Sequence, residues 1–93
     1  MVNVEYQHAM DALTTGQNYP NPASDFTFIN VTEEGLGGIV EIYNINGTKV
    51  MESQIGNRLV QRINLEQLPS GIYTYRVIAG NKISASRKLL IAK

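Results

Sequence analysis

Few side chains in this sequence are of kinds that do chemistry, and their surroundings decide what each could do. The only histidine, His8, would have to serve as the base of any Ser-His-Asp arrangement, and such a base must be held rigidly against its nucleophile. Its neighbours predict no rigid element: Val2, Val4 and Tyr6 alternate as in a strand, whereas Met10 and Leu13 have helical spacing. No catalytic residue is assigned, and the chain reads as a non-enzyme. Glu33 and Glu34 sit side by side in a glycine-flanked loop, where paired carboxylates could hold calcium. The alternating Asp/Asn ligands of a dedicated calcium loop are missing, so a solvated loop without metal is expected. The glycines of GLGG (Gly35–Gly38) lead into a strand rather than a helix, offering no helix N-terminus to a phosphate, and no cofactor is expected. The chain has no cysteine, which excludes disulfides and thiolate metal sites.

Aromatic and charged residues are left. Of the five tyrosines, Tyr43 is placed to face outward and stack on a sugar, while Tyr73 and Tyr75 alternate with polar residues and read as core. Tryptophan, the commonest stacking platform, is absent. Tyr73 follows the turn LPSG at the start of a late strand, where β-sandwiches place a tyrosine whose hydroxyl bonds back to the corner. Asn30-Val31-Thr32 and Asn46-Gly47-Thr48 match the N-glycosylation pattern, but a hairpin already accounts for Asn46, and both are read as structural. The net charge is zero, yet residues 1–57 hold seven acids and one base (−6) and residues 58–93 hold seven bases and one acid (+6). Early and late strands lying side by side would pair these charges across a sheet. The bases are spread along the second half without a nucleic-acid motif, so no nucleic-acid partner is expected. Lys88 and Lys93, in the closing RKLLIAK, are the charges for which neither fold nor turn geometry supplies a reason.

The elements that must position these residues are strands. DFTFINV (25–31), GIVEIYNI (38–45), TKVMESQI (48–55), LVQRINL (59–65), IYTYRVIA (72–79) and KISASRKLLIAK (82–93) are β-rich runs broken by turn residues. Asn46-Gly47 predicts a type I′ hairpin with positive φ at both residues. Leu59, Gln61, Ile63 and Leu65 share one face; Val50, Tyr73 and Val77 are expected in the core, with Leu89 and Ile91 directed inward. Pro69 and Gly71 turn the chain at EQLPSG, and Gly80-Asn81 turns it again. Residues around Leu13–Tyr19 are a candidate seventh strand. Pro20 and Pro22 of NYPNPAS lack an N–H and cannot lie in a central strand, so they form a rigid lead-in. The predicted fold is an all-β, antiparallel two-sheet sandwich of six to seven short strands. Residues 1–17 read as a linker or added segment and 18–93 as one domain. The last strand would leave an exposed edge able to pair with another chain, giving weak homo-oligomers. No apolar run reaches the ~18 residues of a membrane helix. The first residues lack the basic-then-apolar pattern of a signal peptide, so for work outside the cytoplasm an export signal is expected on a larger parent chain.

Read in order, YPNPASD, then VEIYNINGTKV, then LPSGIYTYRV followed by RKLLIAK resemble the C-terminal sorting domains of proteins exported by the type IX secretion system of Gram-negative bacteria. Each motif is weak alone; their order, spacing and position at the end of the sequence make the set fairly specific, and it spans Asn18–Lys93. The resemblance implies an immunoglobulin-like sandwich of about seven strands acting as a secretion and sorting signal. It implies an N-terminal passenger protein carried through the periplasm and across the outer membrane by translocation machinery to the cell surface. It also implies removal of the domain by a sortase-like peptidase that cuts upstream of the folded unit and can join the passenger to an anionic lipopolysaccharide. The matching positions are Pro20, Asn21 and Pro22; Tyr43, Asn46, Gly47 and Val50; Pro69, Gly71, Tyr73 and Val77; and Lys88 with Lys93. Partner recognition is expected at Lys88, Leu89, Leu90, Ile91 and Lys93. Met1 without an export signal departs from a natural parent and suggests an excised fragment. The alternative is a carbohydrate-binding or spacer β-sandwich appended to a secreted enzyme, which would expose an aromatic platform and tolerate loss of the terminal lysines.

Overall fold

The computed structural model of the chain describes residues 13 and 15–93; His8, the Val2–Tyr6 alternation and most of the expected linker lie outside the described residues. The strands are β1 (Phe26–Asn30), β2 (Ile39–Tyr43), β3 (Lys49–Gln54), β4 (Val60–Asn64), β5 (Gly71–Ala79), β6 (Lys82–Ile83) and β7 (Arg87–Ile91). β1 and β4 pair as a small antiparallel sheet, while β3, β2 and β5 form the large one, with β6 and β7 both pairing to the far side of β5. The expected all-β sandwich is therefore present.

Strand alternation builds the core. Thr27 and Ile29 of β1, Ile63 at the end of β4, Leu65 just beyond it, Val40 and Ile42 of β2, and Tyr73, Tyr75 and Val77 of β5 are buried, as are Leu89 and Ile91 of β7. Side chains two residues apart on a strand share a face, so these residues fill the space between the sheets. The corner tyrosine is as expected: the Tyr73 hydroxyl donates to Pro69 O at 2.7 Å. Gly38 is required by close approach, since a Cβ there would stand 2.2 Å from the Ile78 carbonyl oxygen of β5.

Several expectations are corrected. The β2–β3 hairpin is not type I′, because Gly47 (φ 82) has positive φ and Asn46 does not. Gly47 N–H bonds Asn44 O at 2.9 Å, Asn44 N–H bonds Thr48 O at 2.9 Å, and Asn44 Oδ1 accepts from the N–H groups of Asn46 and Thr48. This is a longer turn ending in a left-handed glycine, of the kind that carries a bulge. The register accordingly jumps from Ile42↔Met51 to Tyr43↔Lys49. Val50 is the extra residue and lies 39% exposed rather than in the core, while Met51 packs against it instead. Leu59, 49% exposed, precedes β4 and does not share the buried face of Ile63 and Leu65. Gly71 opens β5 with an ordinary φ; the chain turns earlier, where Leu68 N–H bonds Leu65 O at 3.0 Å. The expected final strand is broken at Ser84, whose hydroxyl accepts from Val77 N–H at 2.8 Å while its own N–H bonds Val77 O at 2.9 Å.

The lead-in runs as a strap along the open side of the sandwich. Toward β1 it pairs through Gly16 N–H to Asn30 O (3.2 Å) and reciprocal bonds between Tyr19 and Phe28 (2.9 and 2.7 Å). Toward β7, Ala23 N–H bonds Leu90 O and Ala92 N–H bonds Ala23 O, both at 2.8 Å, in a parallel bridge. Leu13 forms a further parallel bridge to Ser84, just past β6. Leu13–Tyr19 thus makes isolated bridges rather than a seventh strand. The exposed last-strand edge expected to mediate weak homo-oligomers is covered, because this segment of the same chain already occupies it.

Tyr73→Phe should lower stability by about 1 kcal/mol, the worth of one hydrogen bond, and Leu89→Ala by about 3 kcal/mol through the cavity left in the core. Urea unfolding measures both; a Tyr73→Phe variant as stable as the parent would remove the corner bond from the account.

Candidate functional site

β7 divides the expected recognition residues between two environments. Leu89 and Ile91 are buried between the sheets, whereas Lys88 is exposed and Leu90 half-buried on the opposite, outer face. Lys88 stands opposite Thr74 and Leu90 opposite Ile72, and Ile72 is 51% exposed. Among the described residues the Lys88 ammonium has no hydrogen bond or ion pair. Lys93 differs: its Nζ donates to Leu65 O at 3.0 Å and Glu66 O at 3.2 Å, and its N–H to Ser70 Oγ at 2.9 Å. The expectation that fold geometry supplies no reason for Lys93 is therefore corrected. It ties the chain's last residues to the turn between β4 and β5, as a second donor to the Leu65 carbonyl that Leu68 N–H also reaches and as a donor to the Glu66 carbonyl.

Across the same outer face, Thr74 lies opposite Tyr43 and Arg76 opposite Glu41. Glu41, buried although charged, is held by three donors. Arg76 Nε reaches its Oε1 at 3.1 Å, Lys49 Nζ its Oε2 at 3.4 Å, and the Tyr43 hydroxyl donates to Oε1. Arg76 Nη2 in turn donates to the Tyr43 hydroxyl at 2.9 Å, and Lys49 also pairs with Glu52 at 2.7 Å. A buried carboxylate is retained only when its charge is matched in this way. The Tyr43 bond, with help from Arg76 and Lys49, holds the Glu41 carboxyl below its ordinary value although burial opposes this; Glu41 in turn pushes the Tyr43 phenol up. The pairing of early acids with late bases is thus realised across β2 and β5 by Glu41 and Arg76. The Arg76 guanidinium lies 5.1 Å from the ring centroid of Tyr43 and takes up one face of the ring considered for sugar stacking.

Pro20, Asn21 and Pro22 lie in the strap, with Asn21 Oδ1 accepting from Leu90 N–H at 2.9 Å. Asn46 and Gly47 make the β2–β3 turn, and Pro69, Gly71, Tyr73 and Val77 belong to the corner and core of β5. Thus the matched positions are brought together only in part: those near β7 converge, and the hairpin positions do not. Sequence reading missed the aromatic outer face of the small sheet. There Phe26 and Phe28 meet edge to face at 5.4 Å, and Arg62 covers Phe26 at 4.5 Å. The run DFTFINV has bulky residues on both faces, so alternation alone gave no sign of which face turns out. Glu33 and Glu34 are exposed in a 3-10 turn, Glu33–Gly35. A cavity of about 200 Å³ is lined by Leu13, Thr15, Ala85 and Arg87, and Arg87 Nε is committed to Thr15 O at 2.6 Å.

A family model described as "Secretion system C-terminal sorting domain" matches residues 17–92, nearly the whole chain. No curated protein matches it.

Glu41→Gln should destabilise the fold at neutral pH. The lowered carboxyl of Glu41 contributes stability that is fully present above its ordinary pKa and is lost as pH falls through the folded-state value. The gap between wild type and variant should therefore close on acidification, which urea unfolding across a pH series measures; a gap independent of pH would show that the carboxylate's charge does not contribute.

Proposed function

We propose a function from one premise: the chain belongs to the secretion system C-terminal sorting domain family. As such it is a type IX secretion sorting signal, which implies secretion, surface localisation in bacteria and contact with the type IX machinery. Beyond that membership, our reading is that the domain has no catalytic activity of its own and directs an N-terminal passenger through the periplasm and across the outer membrane. A sortase-like peptidase then separates it from the passenger at a bond upstream of the folded unit.

The observation that supports a recognition site is the division of β7. Leu89 and Ile91 are invested in the core, while Lys88 and Leu90 stand on a rigid sheet face beside the exposed Ile72. A site built on a strand presents its side chains with less conformational freedom than one on a loop. An ammonium without a partner among the described residues, set beside an apolar patch, suits a partner surface that offers a carboxylate next to apolar residues. Of the five residues expected to be read, we therefore assign direct contact to Lys88 and Leu90. Leu89, Ile91 and Lys93 hold the strand in place.

The test is a reporter carrying an export signal and fused ahead of residues 17–93, in a bacterium with type IX secretion. The fusion should reach the cell surface, and Lys88→Glu should reduce that export without lowering the unfolding midpoint. Removing residues 89–93 should abolish export and folding together, because it takes out core as well as signal. Retention of the wild-type fusion in the periplasm would sink the sorting function; full export of Lys88→Glu would move recognition off this face.

A further inference from the structure

The strap against β7 carries an inference that rests on the sorting function. The outer edge of β7 and the residue after it present Lys88 C=O, Leu90 N–H, Leu90 C=O and Ala92 N–H, and each has a partner in the strap. Only Ala23 bonds through its backbone, to Leu90 O and from Ala92 N–H. The other two contacts come from side-chain amides: Gln17 Nε2 donates to Lys88 O at 2.8 Å, and Asn21 Oδ1 accepts from Leu90 N–H at 2.9 Å. The cause is in the sequence. Pro20 and Pro22 have no N–H to give, and Tyr19 spends its backbone on Phe28 of β1. The strap is thus an imperfect strand that completes its ladder with substitutes. Gln17 and Asn21 are exposed, so both amides can turn into water and regain hydrogen bonds there at little cost. Meanwhile Gly16 and Tyr19 keep the strap's backbone on β1, and the buried side chain of Ala23 marks its firm end.

We propose that the outer edge of β7 is a strand-accepting site held closed by the strap, and that its occupant during export is an extended backbone segment of a partner protein. Strand addition to a sheet edge draws affinity from main-chain hydrogen bonds and specificity from neighbouring side chains. A true strand offers backbone groups to Lys88 C=O and Leu90 N–H, where the strap offers only side-chain amides. It also lies beside the Lys88 and Leu90 side chains of the outer face. Until that partner arrives, the strap keeps a sheet edge from pairing with other copies of the chain, which is the hazard of any open edge.

Amide exchange on the intact chain tests the closed state. The N–H groups of Leu89 and Ile91 face β5, and those of Leu90 and Ala92 face the strap. Leu90 should exchange at least about tenfold faster than Leu89, as expected of a locally opening contact, and faster still in a Gln17→Ala/Asn21→Ala variant. That variant should also dimerise in sedimentation experiments. Adding Leu90→Pro, which deletes the edge N–H without touching the β5 ladder, should abolish the dimer. In the reporter assay Leu90→Pro should fall to background while Leu90→Ala is exported well above it. Equal exchange at Leu89 and Leu90, absence of the dimer, or equal export of Leu90→Pro and Leu90→Ala each overturns the proposal. Should the wild-type reporter not be exported, the sorting function fails, and exchange and dimerisation still decide whether the edge opens.

Discussion

A single segment, Thr15–Ala23, is hydrogen-bonded on both its sides, by backbone toward β1 and by Ala23 backbone with two side-chain amides toward β7, and the two sheets depend on it. One side pairs with β1 of the small sheet and the other with β7 of the large one. Two polar contacts pin it from within. The Tyr75 hydroxyl donates to Gly16 O at 2.7 Å, and the buried Asn18 bonds Pro20 O and the hydroxyl of Thr27, each at 3.0 Å. Without this strap the small sheet would be two strands lying on the core, and an isolated strand pair is marginal in water. With it, the groups on the open side of the sandwich find partners inside the chain, which is the condition for burying backbone at all.

That arrangement gives β7 a double duty. Its inner residues complete the core, its backbone is shared between β5 and the strap, and while the strap is in place only the outer side chains are left for another molecule. In the function proposed above, stability and recognition are therefore carried by alternate residues of one five-residue strand. The consequence for a sorting domain is that its signal exists only when the domain is folded: the same hydrogen bonds that order Lys88 and Leu90 also join the lead-in to the final strand. The Glu41 network on the neighbouring strands serves the same face differently, cross-linking β2, β3 and β5 through charge.

Much of this was legible in the residues. The strands followed from β-rich runs bounded by glycine, proline and asparagine, and the inward set of β5 from its strict alternation. The corner tyrosine was readable because the Pro69–Tyr73 bond is local, spanning four residues. Where reading failed, the reason was a displacement of register or a distant partner. At Val50 a single bulged residue reverses which face each side chain takes, and no residue type announces it; Asn44, whose side-chain bonds build the longer turn, was the available clue. Lys93 looked idle because its acceptors, Leu65 and Glu66, lie more than 25 residues away.

Periodicity, turn chemistry and motif order in the sequence determined the fold class, most of the core and the family, since each rests on interactions between near neighbours or on residue types alone. The tertiary structure decided which of the terminal residues are free to be read and which are not. It also decided that the last strand has a covered rather than an open edge. Those outcomes depend on hydrogen bonds between Gln17 or Asn21 and β7, partners some seventy residues apart, whose meeting is set by the packing of two sheets and leaves no local trace in either segment.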